Sequence, residues 1–148
     1  MWTRSFSRVY SGIKKEDIWR IWTDVNNWPK WHGDLDYCKM EGAFKVGNFF
    51  MLKPRGVKAV KIVLTEIEEN HSFTDCTTFF GAKMYDTHAL EETPKGLKLT
   101  STLLVTGTLK WLWIKLVAQN VAEILCLKKW KHSLTLYETT DDQITLWF

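Results

Sequence analysis

In the opening residues WTRSFSRVYS, polar and apolar side chains alternate at period two, which predicts a strand over Trp2–Ser11. The period then changes. In KKEDIWRIWTDV, Ile18, Ile21, Trp22 and Val25 fall on one helical face. Asp24, Asn26 and Asn27 end that helix with turn chemistry, and Pro29 suits the first turn of a second short helix, where its missing N–H costs nothing. From Asp34 onward, turn signals recur in EG, GN, KPRG, EEN, GAK and TPKG. Between them lie the strand-like runs DLDYCKM, FFMLK, KAVKIVLTEI, SFTDCTTFF, MYDTHALEE and LKLTSTLLVT. After Gly107 the period becomes helical: Leu109, Leu112, Trp113, Leu116, Val117, Val121, Ile124, Leu125 and Leu127 form one broad stripe. That stripe predicts a helix over about 109–134, ~37 Å long at the standard rise.

The order is therefore one strand, two short helices, six strands and one long helix. An antiparallel sheet hides one face, and the final helix is the one large element able to cover it. The expected class is α+β: a curled seven-stranded antiparallel sheet around a long C-terminal helix, with two short helices between strands one and two. Residues 1–139 read as a single domain and 140–148 as a tail.

The length of 148 residues fits one domain, which at this size buries ~68–70% of its extended-chain surface and needs no disulfide or metal to hold a core. Nine Trp are many for such a chain, enough that some rings are expected to line a space. The net charge of +3 is mildly basic and scattered, apart from LKKWKH (Lys128, Lys129, Lys131, His132). That cluster reads as the cationic end of a helix, with a phosphate or membrane contact as the alternative. Cys38, Cys76 and Cys126 are odd in number and widely spaced, which argues against a disulfide framework and a zinc site. Cys76 and Cys126 read as small core residues. The N-terminus lacks the apolar run of a signal peptide, and no stretch approaches the length of a membrane span, so a cytoplasmic protein without stable membrane insertion is expected.

Four segments carry a resemblance to a known family: EDIWRIWTDVNNWPKWH, LTEIEENHSFT, HALEETPKGLKLTST and GTLKWLWIKLVAQNVAEILCLKKWKH. They resemble, in turn, the first helix and WPxW turn, the Val-Thr-Glu-Val segment, the His-x-hydrophobic strand with its Thr-rich successor, and the Gly-led C-terminal helix of the START-like (SRPBCC) superfamily. Within it, the polyketide cyclase/dehydrase-like branch, known from bacteria, is closest in look. The resemblance covers about Phe6 to Glu138 and implies the helix-grip fold. Where that branch commonly carries Pro before the first helix, this chain has Lys14 and Lys15. The superfamily includes lipid carriers, plant allergens, aromatase/cyclases, coenzyme Q-binding proteins and chaperone co-activators, and fold does not choose among them.

In that fold the second short helix sits at a cavity mouth, so Trp28 and Trp31 are candidates for gate and wall, or else a plug packing the small helices on the sheet. His88 shares its strand face with Asp86 and Leu90, and Asp75 shares one with Phe73, Thr77 and Phe79. Leu112, Leu116, Asn120 and Ile124 lie along the helical stripe, with Asn120 its polar handle. The candidate ligand-binding set is thus Trp28, Trp31, Asp75, Tyr85, His88, Leu112, Leu116, Asn120 and Ile124. No nucleophile–base order, HExxH, Gly-rich phosphate loop or zinc spacing occurs, and no basic stripe interleaves the aromatics as nucleic acid would require. The expected function is binding of a small, mostly hydrophobic ligand (lipid, polyketide- or quinone-like), with no cofactor and no metal. The alternatives are a cyclase/dehydrase-type enzyme in which His88, Asp75 and Tyr85 move protons, and a protein-interaction module with a filled core.

Overall fold

The computed structural model describes residues 1–118. In chain order these form β1 (Trp2–Tyr10), α1 (Lys15–Thr23), a 3-10 turn (Val25–Asn27), α2 (Trp28–Trp31), β2 (Leu35–Met40), β3 (Phe49–Pro54), β4 (Val60–Glu68), β5 (Ser72–Phe79), β6 (Ala82–Thr93), β7 (Gly96–Thr106) and α3 (Lys110–Trp113), which runs into a π-helical turn (Ile114–Ala118). All seven strands join one antiparallel sheet in the order β1-β7-β6-β5-β4-β3-β2. Each strand lies within two residues of the run that the alternation marked.

Register decides what faces the core, because directly paired residues point to the same side of a sheet. On β7, Leu97, Leu99, Ser101, Leu103 and Val105 are buried while their neighbours are half-buried. Their partners Glu92, Leu90, His88, Asp86 and Met84 on β6 share that inner face. The inner face continues through Phe73, Asp75 and Thr77 on β5, Ile62 and Leu64 on β4, Phe50 and Leu52 on β3, and Trp2, Arg4, Phe6, Arg8 and Tyr10 on β1. Bulges at Leu64/Glu66 and Leu35/Tyr37 interrupt the ladders, the usual device for bending a sheet.

Helix α1 turns Ile18, Trp19 and Trp22 onto one end of this face, where they meet Phe44, Phe73 and His88. Trp28 and Trp31 of α2 are buried together over Phe50, with the Trp28 indole N–H donating to the Ile21 carbonyl at 3.2 Å. Asn26 then ties the helical segment to β2, accepting from Met40 N at 2.9 Å and donating to Met40 O at 3.2 Å.

At the opposite end of the sheet the chain passes Gly107, whose φ of +110° and closeness to the Gly81 carbonyl (2.4 Å from a Cβ placed there) leave no room for a side chain. Trp113 then stacks on Phe79 at 4.5 Å and donates its indole N–H to the Phe80 carbonyl at 2.9 Å. This anchoring corrects the stripe read from the sequence. Ile114 is buried, whereas Leu112 and Leu116 are more than half exposed. Leu112 is turned outward where its neighbour Trp113 is the side chain anchored on the sheet, and the wider π-helical turn that follows changes the phase at Leu116. The helix starts where the period switch placed it. Asn120, Ile124, Cys126, the LKKWKH cluster, the remainder of the expected helix and the tail lie outside the described residues.

Candidate ligand-binding face

The inner face carries two apolar clusters. One comprises the rings of α1 and α2 with Phe50, Leu64, Phe73, Leu90, Leu97 and Leu99; the other comprises Val105 and Ile114 with Trp2 and Met84 packed on them. Between them runs a belt of polar side chains across β5, β6 and β7: Asp75, Asp86, His88 and Ser101. Asp75 and Asp86 are direct register partners, as are His88 and Ser101. The Ser101 hydroxyl donates to Asp86 Oδ1 at 2.9 Å, and His88 Nε2 lies 3.3 Å from Asp86 Oδ2. The imidazole is 2% exposed and sits between aromatic rings, 4.7 Å from Phe73 and 5.6 Å from Trp22 between centroids.

The belt's outer flank is β1. Arg4, Phe6, Arg8 and Tyr10 face the same side, and the Arg4 guanidinium lies over the Phe6 ring at 5.1 Å. Burial pushes the Tyr10 phenol above its ordinary value, against an opposing pull from the hydrogen bond and charge of Arg8.

Chemically, Asp86 is the hub. A carboxylate gripped by a hydroxyl and adjoining an imidazole can hold a polar or cationic group of a ligand whose apolar parts lie on the flanking clusters. It is not a nucleophile triad, since there the imidazole would stand between hydroxyl and carboxylate. Among the described residues no three His, Cys, Asp or Glu side chains converge in a way that could hold a metal ion.

The structure brings Asp75 and His88 together on this belt, and does so through two residues that the sequence reading left out of its candidate set, Asp86 and Ser101. The signal for Ser101 was present: it is the polar member of the alternating set Leu97, Leu99, Ser101, Leu103, Val105. Tyr85 is a correction. Three positions from His88 on one strand, it points to the opposite, outer face. There it lines an open groove of ≈ 470 Å³ with Thr74, Thr87 and Thr102. The outer-face hydroxyls pair with one another, Thr74 with Thr87 and Ser5 with Thr102, each at 2.9 Å. Cys76 is buried on that outer side as well. Trp28 and Trp31 lie over β3, in ring contact with Phe50, His32 and each other. That favours a filling role for both.

No protein-family model and no curated protein matches the chain. Solved structures do. Protein MLL2253 from Mesorhizobium loti superposes with a TM-score of 0.71 at 17% identity, over 95% of this chain and 99% of that one. Norcoclaurine synthase from Thalictrum flavum, solved in complex with dopamine and hydroxybenzaldehyde, gives 0.72 at 13% identity over 96% and 90%. The di-domain ARO/CYC StfQ from the steffimycin biosynthetic pathway gives 0.72 at 14% identity, over 93% of this chain and 50% of its own length. The chain has the START-like fold. These likenesses establish architecture alone. What this START-like sheet offers a ligand is set by its own inner face, apolar at both ends and polar in the middle.

Proposed function

We propose that the protein binds a small, mostly hydrophobic molecule against the inner face of its sheet, with a polar group of that molecule held at Asp86. The observation that carries this reading is the belt of Asp75, Asp86, His88 and Ser101 between two apolar clusters. A few polar groups set between apolar surfaces suit a ligand that is apolar over most of its length and polar at one place. Residues 1–139 would form the binding domain. Of the residues considered from the sequence, Asp75 and His88 are proposed to meet the ligand's polar group, and Trp28 and Trp31 to close the end beneath α2. The structural neighbours agree with the class: one of them was solved with two small aromatic molecules bound and another is an aromatase/cyclase.

The test is a fluorescence titration with the neutral apolar probe N-phenylnaphthylamine, alongside native mass spectrometry of freshly purified protein for a co-purifying small molecule. Saturable binding at one site per chain is expected. Asp86→Asn should weaken it by ~1–3 kcal/mol, the scale of a lost hydrogen bond to a charged acceptor. Absence of both a bound molecule and saturable probe binding would contradict the proposal.

A second reading, general acid–base catalysis on the bound molecule, is favoured by one distance: His88 Nε2 lies 3.3 Å from Asp86 Oδ2. Tyr85, on the outer face, has no part in it. Exchange of the α-protons of β-tetralone into heavy water, abolished in His88→Gln, would select this reading over simple binding.

A further inference from the structure

The two ends of the sheet differ in kind. At the end where β4 to β5, β6 to β7 and β1 to α1 turn, charges of both signs stand together and pair: Lys15 with Glu92, Arg20 with Asp17 and Lys98 with Glu91. At the other end, large apolar side chains stand in solvent. Phe80 at the tip of the β5–β6 hairpin is 85% exposed and Trp111 is 66% exposed, with Val57, Leu112 and Leu116 each more than half exposed. Phe80 and Trp111 belong to one rigid unit, because the Trp113 indole bonds the Phe80 carbonyl and Leu109 N donates to the Gly81 carbonyl at 3.0 Å.

Among the described residues, lysines stand beside this apolar rim. Lys58, Lys83, Lys110 and Lys115 flank it, and Lys110 Nζ lies 5.7 Å from the Trp111 ring centroid. From Thr93 to Ala118 the chain holds no Asp or Glu, and none occurs from Cys76 to Tyr85. The carboxylates at the start of β2 stand at the edge of the sheet, and Asp36 there is paired with Lys53 and near Arg55.

We infer that this end of the molecule docks reversibly on the surface of an anionic lipid bilayer. Exposed aromatic tips ringed by lysines match an interface in which rings sit at headgroup depth and ammonium groups meet phosphates. A second copy is the poorer occupant, because facing two such rims would set lysines against lysines. Docking of this kind would bring the β5–β6 hairpin and α3 against the bilayer. It stands apart from the ligand proposal, since docking needs no ligand present.

The experiment is vesicle flotation of the full chain with phosphatidylcholine alone and with added phosphatidylglycerol, with light scattering for oligomeric state. Flotation with the anionic vesicles only is expected. Phe80→Ser combined with Trp111→Ser, and Lys83→Glu combined with Lys110→Glu, should each lower the bound fraction on the order of tenfold, at unchanged melting temperature. No flotation on anionic vesicles, or equal flotation of wild type and both double variants, would overturn the inference. So would a dimer that the Phe80/Trp111 variant dissolves, which would assign the rim to a second copy.

Discussion

Among single residues, Tyr10 offers a clean titration experiment. Its folded-state pKa is raised by burial above the ordinary 10.0. A folded state that holds its proton more tightly than the unfolded chain contributes stability that is fully present below about pH 10 and is lost as pH rises through the higher folded value. Urea midpoints should therefore fall at alkaline pH, and Tyr10→Phe should flatten that fall while leaving the neutral midpoint nearly unchanged. Identical pH profiles for the two proteins would remove the phenol from the account. At the same scale, alternation made Asp75 and His88 legible, because period two tells which side chains share a face. What it could not show is that Asp86 and Ser101 complete the belt, since pairing between strands is set by register, a property of two segments at once.

At the scale of elements, α2 is the informative case. WPKW was legible as a short helix from Pro29 alone, but whether its rings line a space or fill one depends on what β3 presents to them. Phe50 answers: it meets the Trp28 ring edge-on at 5.3 Å. Trp31→Ala should consequently destabilise the fold by ~3–5 kcal/mol, the scale for truncating a buried aromatic. Probe affinity in the folded fraction should hold. Urea unfolding with N-phenylnaphthylamine titration checks both, and a stable variant that no longer binds would return Trp31 to the cavity wall. Strand limits were legible because Gly, Asn and Pro punctuate each turn. The start of the last helix was legible too, from Gly107. The phase of its side chains was not: the pattern does not tell which of the neighbours Leu112 and Trp113 is anchored on the sheet, and the π-helical turn at Leu116 leaves no mark in it.

For the whole molecule, the sheet sorts its contents by face: apolar clusters and a polar belt within, paired hydroxyls without. Adjacent residues on β7 report on the two sides, Leu103 pointing in and Leu104 out. The central claim, that a ligand is held on the inner face, can be read from their methyl groups by carbon–proton NMR during titration with N-phenylnaphthylamine. Leu99, Leu103 and Val105 should shift and saturate together while Leu104 and Val63 stay in place. Shifts confined to Leu104 and Val63, with the inner methyls unmoved at saturation, would contradict it.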